Sequence, residues 1–303
     1  MKFDNYPTPL YNSVNEIFFM KKQLIINADD FGMSREINEG IKIGIKKGAV
    51  TSVSIMSNMP FFDDAVKFLK NYPSISLGLH FNITEGAPLV NPNRVRNLIR
   101  EDDRFFFWMT MIPRLTTRNI KLNEIEAELN AQYSKLKSTG LPITHIDSHH
   151  HIHLYPRIFQ LISKFAEKNK IPSLRGDYFS AWNITLNYQE VPSPTQLIVN
   201  IMLLYSHLRY RRRKRFYKTD GFYDINWDRN LTTDSFITLL TNLPNGTTEL
   251  ICHLAIESEK GNKKFLSPRY KILKLLTNPL VKNHLTKNGI QLVNYKSNIK
   301  NNI

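Results

Sequence analysis

Apolar residues along this chain fall into two alternating rhythms: short continuous runs, and stretches with a period near four. Leu24–Asn27 is a short apolar run of strand type. Ser34 then offers a helix cap, and Ile37, Ile41 and Ile45 recur on one helical face, with Gly48 suited to the position just past its end. Ala49–Met56 is β-branched and predicts the next strand, Asp63–Lys70 a helix and Ile75–Leu79 a third strand. Asn123–Ser138 sets Ile125, Leu129, Tyr133 and Leu136 on one face, with Gly140 as its stop. Ile143–Asp147 predicts a strand, Pro156–Asn169 a helix opening on proline, and Pro172–Arg175 a strand again. Glu249–Leu254 resumes the strand pattern, Arg269–Leu276 and Pro279–Lys287 are helical, and Ile290–Tyr295 closes as a strand.

Strands alternating with helices imply an α/β fold with a parallel sheet. Residues 86–121, with their prolines and the aromatic run Phe105–Trp108, predict loop and short helix over the mouth of a site. Residues 1–20 are polar and aromatic, and Met20 stands directly before KKQLIINADD, so they are expected to be an N-terminal extension outside the fold. Residues 21–297 then form a single domain, with 178–230 an irregular basic insertion and 298–303 a tail.

Composition narrows this picture only in places. The length of 303 residues and 42% hydrophobic content fit a globular protein with a sizeable core, not a disordered chain. The single cysteine, Cys252, excludes a disulfide framework and a cysteine-based zinc site, and agrees with a cytoplasmic location. No apolar run approaches the roughly 20 residues that span a bilayer, and the N-terminus lacks the hydrophobic core of a signal peptide. The net charge of +15 is concentrated partly in LRYRRRKRFYK (208–218), without any nucleic-acid-binding motif, and reads as a solvated basic face. Just before it, Gln196–Leu208 has a helical apolar face. That face suits either a membrane surface or, the preferred reading, a core-packed helix whose C-terminal cations suit the helix dipole.

The candidate chemistry is gathered in a few places. Asp29 and Asp30 follow the first strand, His80 the third, and His253 the strand near the C-terminus. His145, Asp147, His149, His150, His151 and His153 crowd into nine residues. Two acids after a strand often cap the next helix, and a lone histidine is more often structural. Five histidines in nine residues have little structural use, however, and all these groups fall at or beyond strand C-termini, where α/β folds place their chemistry. A hydrolytic metal site needs about three protein ligands and an open position. Asp30, His80 and His149 are the expected ligands. Asp29 points away from the same ion if its segment is extended, which suits it to act as general base. His253 could be the acid, and Asp147 could orient a histidine from behind. If 145–153 is extended throughout, His145, Asp147, His149, His151 and His153 share one face and His150 the other. The histidines that do not ligate could then bind substrate or support neighbouring loops.

NADDFG, GLHFNIT, THIDSHHHIHLYP and ELICH, in that order, resemble the YdjC-like family of carbohydrate deacetylases, which includes chitooligosaccharide deacetylases and hopanoid-biosynthesis-associated proteins. The resemblance runs from about Lys22 to Tyr295. It implies a distorted, TIM-like (β/α) barrel related to polysaccharide deacetylases, and hydrolysis of an N-acetyl group on an amino sugar or oligosaccharide. It also implies a divalent metal, usually magnesium, on Asp30, His80 and His149, with Asp29 as base and His253 as acid, in a homodimer. Zinc suits the imidazoles as well. A lipid-linked sugar would give the membrane-surface reading of Gln196–Leu208 a purpose. One position departs from the family, which has proline where this chain has Leu254, so the loop carrying His253 could sit differently. The alternatives are a non-haem iron oxygenase with two histidines and one carboxylate, or a non-catalytic basic binding module.

Overall fold

The computed structural model describes residues 21–175, 204, 208, 216–225, 231–259 and 261–297. The expectations for 1–20, for 298–303 and for most of 178–230, the basic run included, lie outside these residues.

β1 (Lys22–Phe31) is the axis of the sheet. It is followed by α1 (Arg35–Lys46), β2 (Ser52–Ile55), α2 (Phe62–Leu69), β3 (Ser76–Phe81), α3 (Trp108–Thr116), α4 (Leu122–Lys137) and β4 (Ile143–Ser148). Then come α5 (Pro156–Lys168), β5 (Ser173–Leu174), β6 (Gly221–Asp224), α6 (Thr233–Thr241), β7 (Gly246–Cys252), α7 (Lys263–Leu276), α8 (Pro279–Lys287) and β8 (Gln291–Leu292). The sheet runs β5-β4-β3-β2-β1-β7-β6, and every pairing is parallel. β8 joins β1 at Gln23 and Leu24, below the point where β2 takes over at Asn27. Ser173 of β5 also makes one parallel bridge to Tyr217, four residues before β6 begins, and the curved sheet with helices around it forms a half-barrel.

The central strands are buried on both faces, which is why they read as apolar runs and not as alternations. α1 begins as its sequence predicts: the Ser34 hydroxyl accepts from Ile37 N–H, and Ile37, Ile41 and Ile45 point into the core. Gly40 lies against the backbone of Ala255, where any side chain would collide. α4 carries two buried stripes. Its apolar stripe faces the core, while Glu124, Glu128 and Gln132 clamp the loop beyond β3. Glu128 accepts from the N–H groups of Leu89 and Val90, and Gln132 donates to the Asn82 carbonyl at 2.6 Å. The chain that follows His80 is thereby tied down.

Three sequence expectations change in detail. α7 begins six residues before Arg269 with Pro268 inside it; proline lacks the N–H of one ladder bond, so a reading that starts after it truncates the helix. Strand β4 stops at Ser148, and 149–154 form a tight 3-10 turn in which His150 and His151 have positive φ, so the histidines do not share one extended face. Of Gln196–Leu208, only Leu204 and Leu208 are described; both are helical and exposed, which does not fit a core-packed face at those two positions. Among the described residues, no helix is long and apolar enough to cross a membrane.

Candidate metal centre

The site is assembled at the C-terminal ends of β1, β3, β4 and β7. Along β1 the side chains alternate until Asp30, whose φ of 67° swings it out of the pleat. A turn fixes that swing: Met33 N–H bonds to the Asp30 carbonyl, and Gly32 N–H donates to the Asn38 side chain at 2.7 Å. Consecutive acids thus serve two directions. His80 and Asp147 are register partners on β3 and β4. His149 is the first residue past β4, and His253 the first past β7.

Asp30 Oδ1 lies 2.9 Å from His149 Nδ1 and 3.4 Å from His80 Nε2. Ligand atoms of Asp30, His80 and His149 all fall within 4.8 Å of one another. Asp30 Oδ1 and His80 Nε2 are buried without a hydrogen-bond partner. Orphaned polar atoms of this kind are costly unless something pairs them, and one carboxylate with two imidazoles suits a divalent ion. The residues therefore fit a metal. A second grouping, Asp29, His80 and Asp147, is also compact, but Arg175 already supplies the cation there.

Behind the Asp30, His80 and His149 group lies a buried network around Arg175. Its guanidinium bonds both oxygens of Asp29 at 2.8 and 2.9 Å, Asp147 at 2.8 Å and Glu249 at 2.9 Å. Asn27 Nδ2 adds a bond to Asp29 Oδ1 at 2.7 Å, and Ser54 Oγ donates to Asp147 at 2.6 Å. Asp147 in turn holds His80 Nδ1 at 2.7 Å, so His80 Nε2 faces Asp30. Burial alone would lower the His80 pKa, but the Asp147 and Asp29 carboxylates lift it to about 10. Burial would raise Asp30; His149 and His253 beside it hold the carboxyl well below the usual range. Burial, only partly offset by Asp30, pushes His253 down.

The predicted residues separate into groups. Asp30, His80 and His149 come together, with Asp29 adjacent and Asp147 behind His80. His253 Nε2 reaches Asp30 Oδ2 at 3.5 Å with its side chain partly exposed. His145, His151 and His153 do not join the cluster. His145 is fully buried between Ser54 and a stacked Tyr295, and burial lowers its pKa to about 4. His153 bridges Ser148 Oγ and the Arg175 carbonyl, and His151 lies 3.6 Å from Asp224. Leu254 is buried in the core, and Ile256 N–H bonds to the Glu36 carbonyl, so the loop carrying His253 is pinned to α1 without proline. Sequence reasoning missed Arg175, Glu249 and Arg269, the last of which donates to Asp30 Oδ2 at 2.8 Å. For Arg175 a signal existed, its position at the end of a predicted strand. Glu249 opens the ELICH motif but reads there as a strand residue, and Arg269 on a helix gave no signal.

Fold and site define a parallel α/β half-barrel with an Asp-His-His cluster able to hold a divalent metal at its strand C-termini. The chain belongs to the YdjC-like protein family, whose model matches residues 23–287. It is 30% identical over 283 residues to a carbohydrate deacetylase of Geobacillus stearothermophilus, covering 91% of this chain and 98% of that one. It is 33% identical over 283 residues to a chitooligosaccharide deacetylase of Yersinia enterocolitica, covering 91% and 99%. A solved structure of a putative cellobiose-phosphate cleavage protein from Enterococcus faecalis superposes with a TM-score of 0.73 at 25% identity, covering 91% of this chain and 98% of that one.

Proposed function

We propose that this protein is a metal-dependent carbohydrate deacetylase, removing the acetyl group from an N-acetylated amino sugar or oligosaccharide. The observation that carries this reading is the juxtaposition of the Asp30, His80 and His149 ligand atoms with a separately held carboxylate, Asp29. It agrees with the activity in the names of the two relatives.

Bound by Asp30, His80 and His149, a divalent metal would polarise the acetamide carbonyl and acidify a water. Asp29 accepts the proton of the attacking water, and Arg175 with Asn27 holds its carboxylate in place. His253, on the more exposed side of Asp30, delivers a proton to the departing nitrogen. Acetate and a free amine result. Asp147 fixes the His80 ring so that Nε2 is the nitrogen offered to the ion.

Magnesium is the metal the family resemblance implies, and zinc suits the two imidazoles. A homodimer and a cytoplasmic location belong to the same reading. The fold favours this activity over an iron oxygenase, whose two-histidine carboxylate sites usually sit on β-sandwiches or cupins. Chelation should abolish acetate release from N-acetylated sugars and metal addition should restore it; release that survives chelation would refute the proposal.

A further inference from the structure

The two oxygens of Asp30 have different surroundings. Oδ1 faces His149 Nδ1 and His80 Nε2 and accepts a hydrogen bond from neither. Oδ2 faces the other way: it accepts from Arg269 Nη2 at 2.8 Å and lies 3.5 Å from His253 Nε2. One oxygen is left for a ligand, and the other is already engaged by a permanent cation.

Arg269 is held by its helix and by an aromatic ring. α7 packs against α1, the helix that follows the Asp30 turn. One helical turn before Arg269 stands Phe265, whose ring lies under the guanidinium with Cζ 3.9 Å from its centroid. A guanidinium is planar, with its donors along its edges, so a ring on one face leaves the edge free to meet Asp30. On that edge Nε and Nη2 present parallel N–H groups. Nη2 takes Oδ2, while Nε is buried and unpaired.

We infer that Arg269 is a positioning residue that holds Asp30 as a one-oxygen metal ligand. With Oδ2 engaged by Arg269, the carboxylate would offer a bound metal one oxygen only, Oδ1. The inference rests on the metal-site reading above. It has a consequence for ion choice. Calcium takes bidentate carboxylates and 6–8 oxygens, whereas magnesium demands near-octahedral geometry and zinc a four-coordinate shell. Releasing Oδ2 should therefore cost the small ions more than the large one.

The test is calorimetric titration of the metal-free protein with magnesium, zinc and calcium separately, on wild type, Arg269→Lys, Arg269→Gln, Arg269→Met and Asp30→Asn. Thermal unfolding of each metal-free variant confirms that it is folded, and Arg269→Gln stands in if Arg269→Met is not. Asp30→Asn should lose binding of the preferred ion. Arg269→Met or Arg269→Gln should weaken magnesium or zinc by about 10–100-fold, the usual loss when a ligand's outer partner is removed, and calcium by less. Arg269→Lys, which keeps one N–H for Oδ2, should recover most of the loss. If Arg269→Met and Arg269→Gln bind every ion with wild-type affinity and preference while Asp30→Asn does not, the positioning role is wrong and the metal site stands. If Asp30→Asn binds as wild type, the metal site itself is wrong and the inference falls with it.

Discussion

Arg175 and Asp29 stand 146 residues apart and meet through two hydrogen bonds, Nη1 to Oδ2 at 2.8 Å and Nη2 to Oδ1 at 2.9 Å. The pairing gives two consecutive acids different surroundings. Asp29 is turned into a buried cationic clamp, while the left-handed backbone at Asp30 presents the next carboxylate to His80 and His149.

Arg175 also separates Asp29 from Asp147 and Glu249, so its loss would leave three buried carboxylates facing one another. Arg175→Met should destabilise the fold by about 3–5 kcal/mol, the scale for an uncompensated buried charge. Urea unfolding measures this directly. A loss under about 1 kcal/mol would mean that the network is not formed as described.

His145 gives stability a pH dependence. Its pKa is lowered to about 4 in the folded protein against an ordinary 6.5, so the unfolded chain binds a proton more readily between those values. Its contribution is present in full above about pH 6.5 and is lost progressively as pH falls to about 4, amounting to about 3 kcal/mol. His145→Gln should flatten the unfolding free energy across that window by close to one proton; an unchanged slope would contradict the assignment.

Gly78 on β3 packs directly under the His145 ring, and an added Cβ would collide with Nε2. Gly78→Ala should cost about 1–3 kcal/mol by overpacking, with the ring forced away from Ser54. A neutral effect on the melting temperature would show that the ring has room to move.

Leu254 anchors the loop that carries His253. It is fully buried, and Ala255 next to it packs against Gly40. Leu254→Ala should destabilise by about 2–5 kcal/mol, and acetate release should fall more than metal affinity as His253 loses its position. Equal losses in both would point to general unfolding instead.

Much of this was legible in the chain. The period-four isoleucines of α1, the Ser34 cap and the apolar runs of β1, β3 and β4 are local patterns, and local physics decides them. The three candidate ligands could be singled out because each ends a strand of one parallel sheet. The turn at His149–Leu154 could not, since positive φ at two successive histidines is set by packing and not by their own propensity. Glu124, Glu128 and Gln132 look like a solvated helix face until the loop they clamp is in view. Arg269 reaches the site from a helix whose sequence carries no chemical signature, and Glu249, although it opens the ELICH motif, reads as one more strand residue, so their contacts emerge only in the three-dimensional arrangement.

Asp29→Asn separates proton transfer from metal binding. After chelation and metal re-addition, wild type and variant would be assayed for acetate released from di-N-acetylchitobiose, with metal affinity measured on the same samples. The variant should keep near-wild-type metal affinity while acetate release falls by about 10²–10⁴, the range for a lost general base. Full activity in the variant, or loss of activity only in proportion to lost metal, would contradict the general-base role.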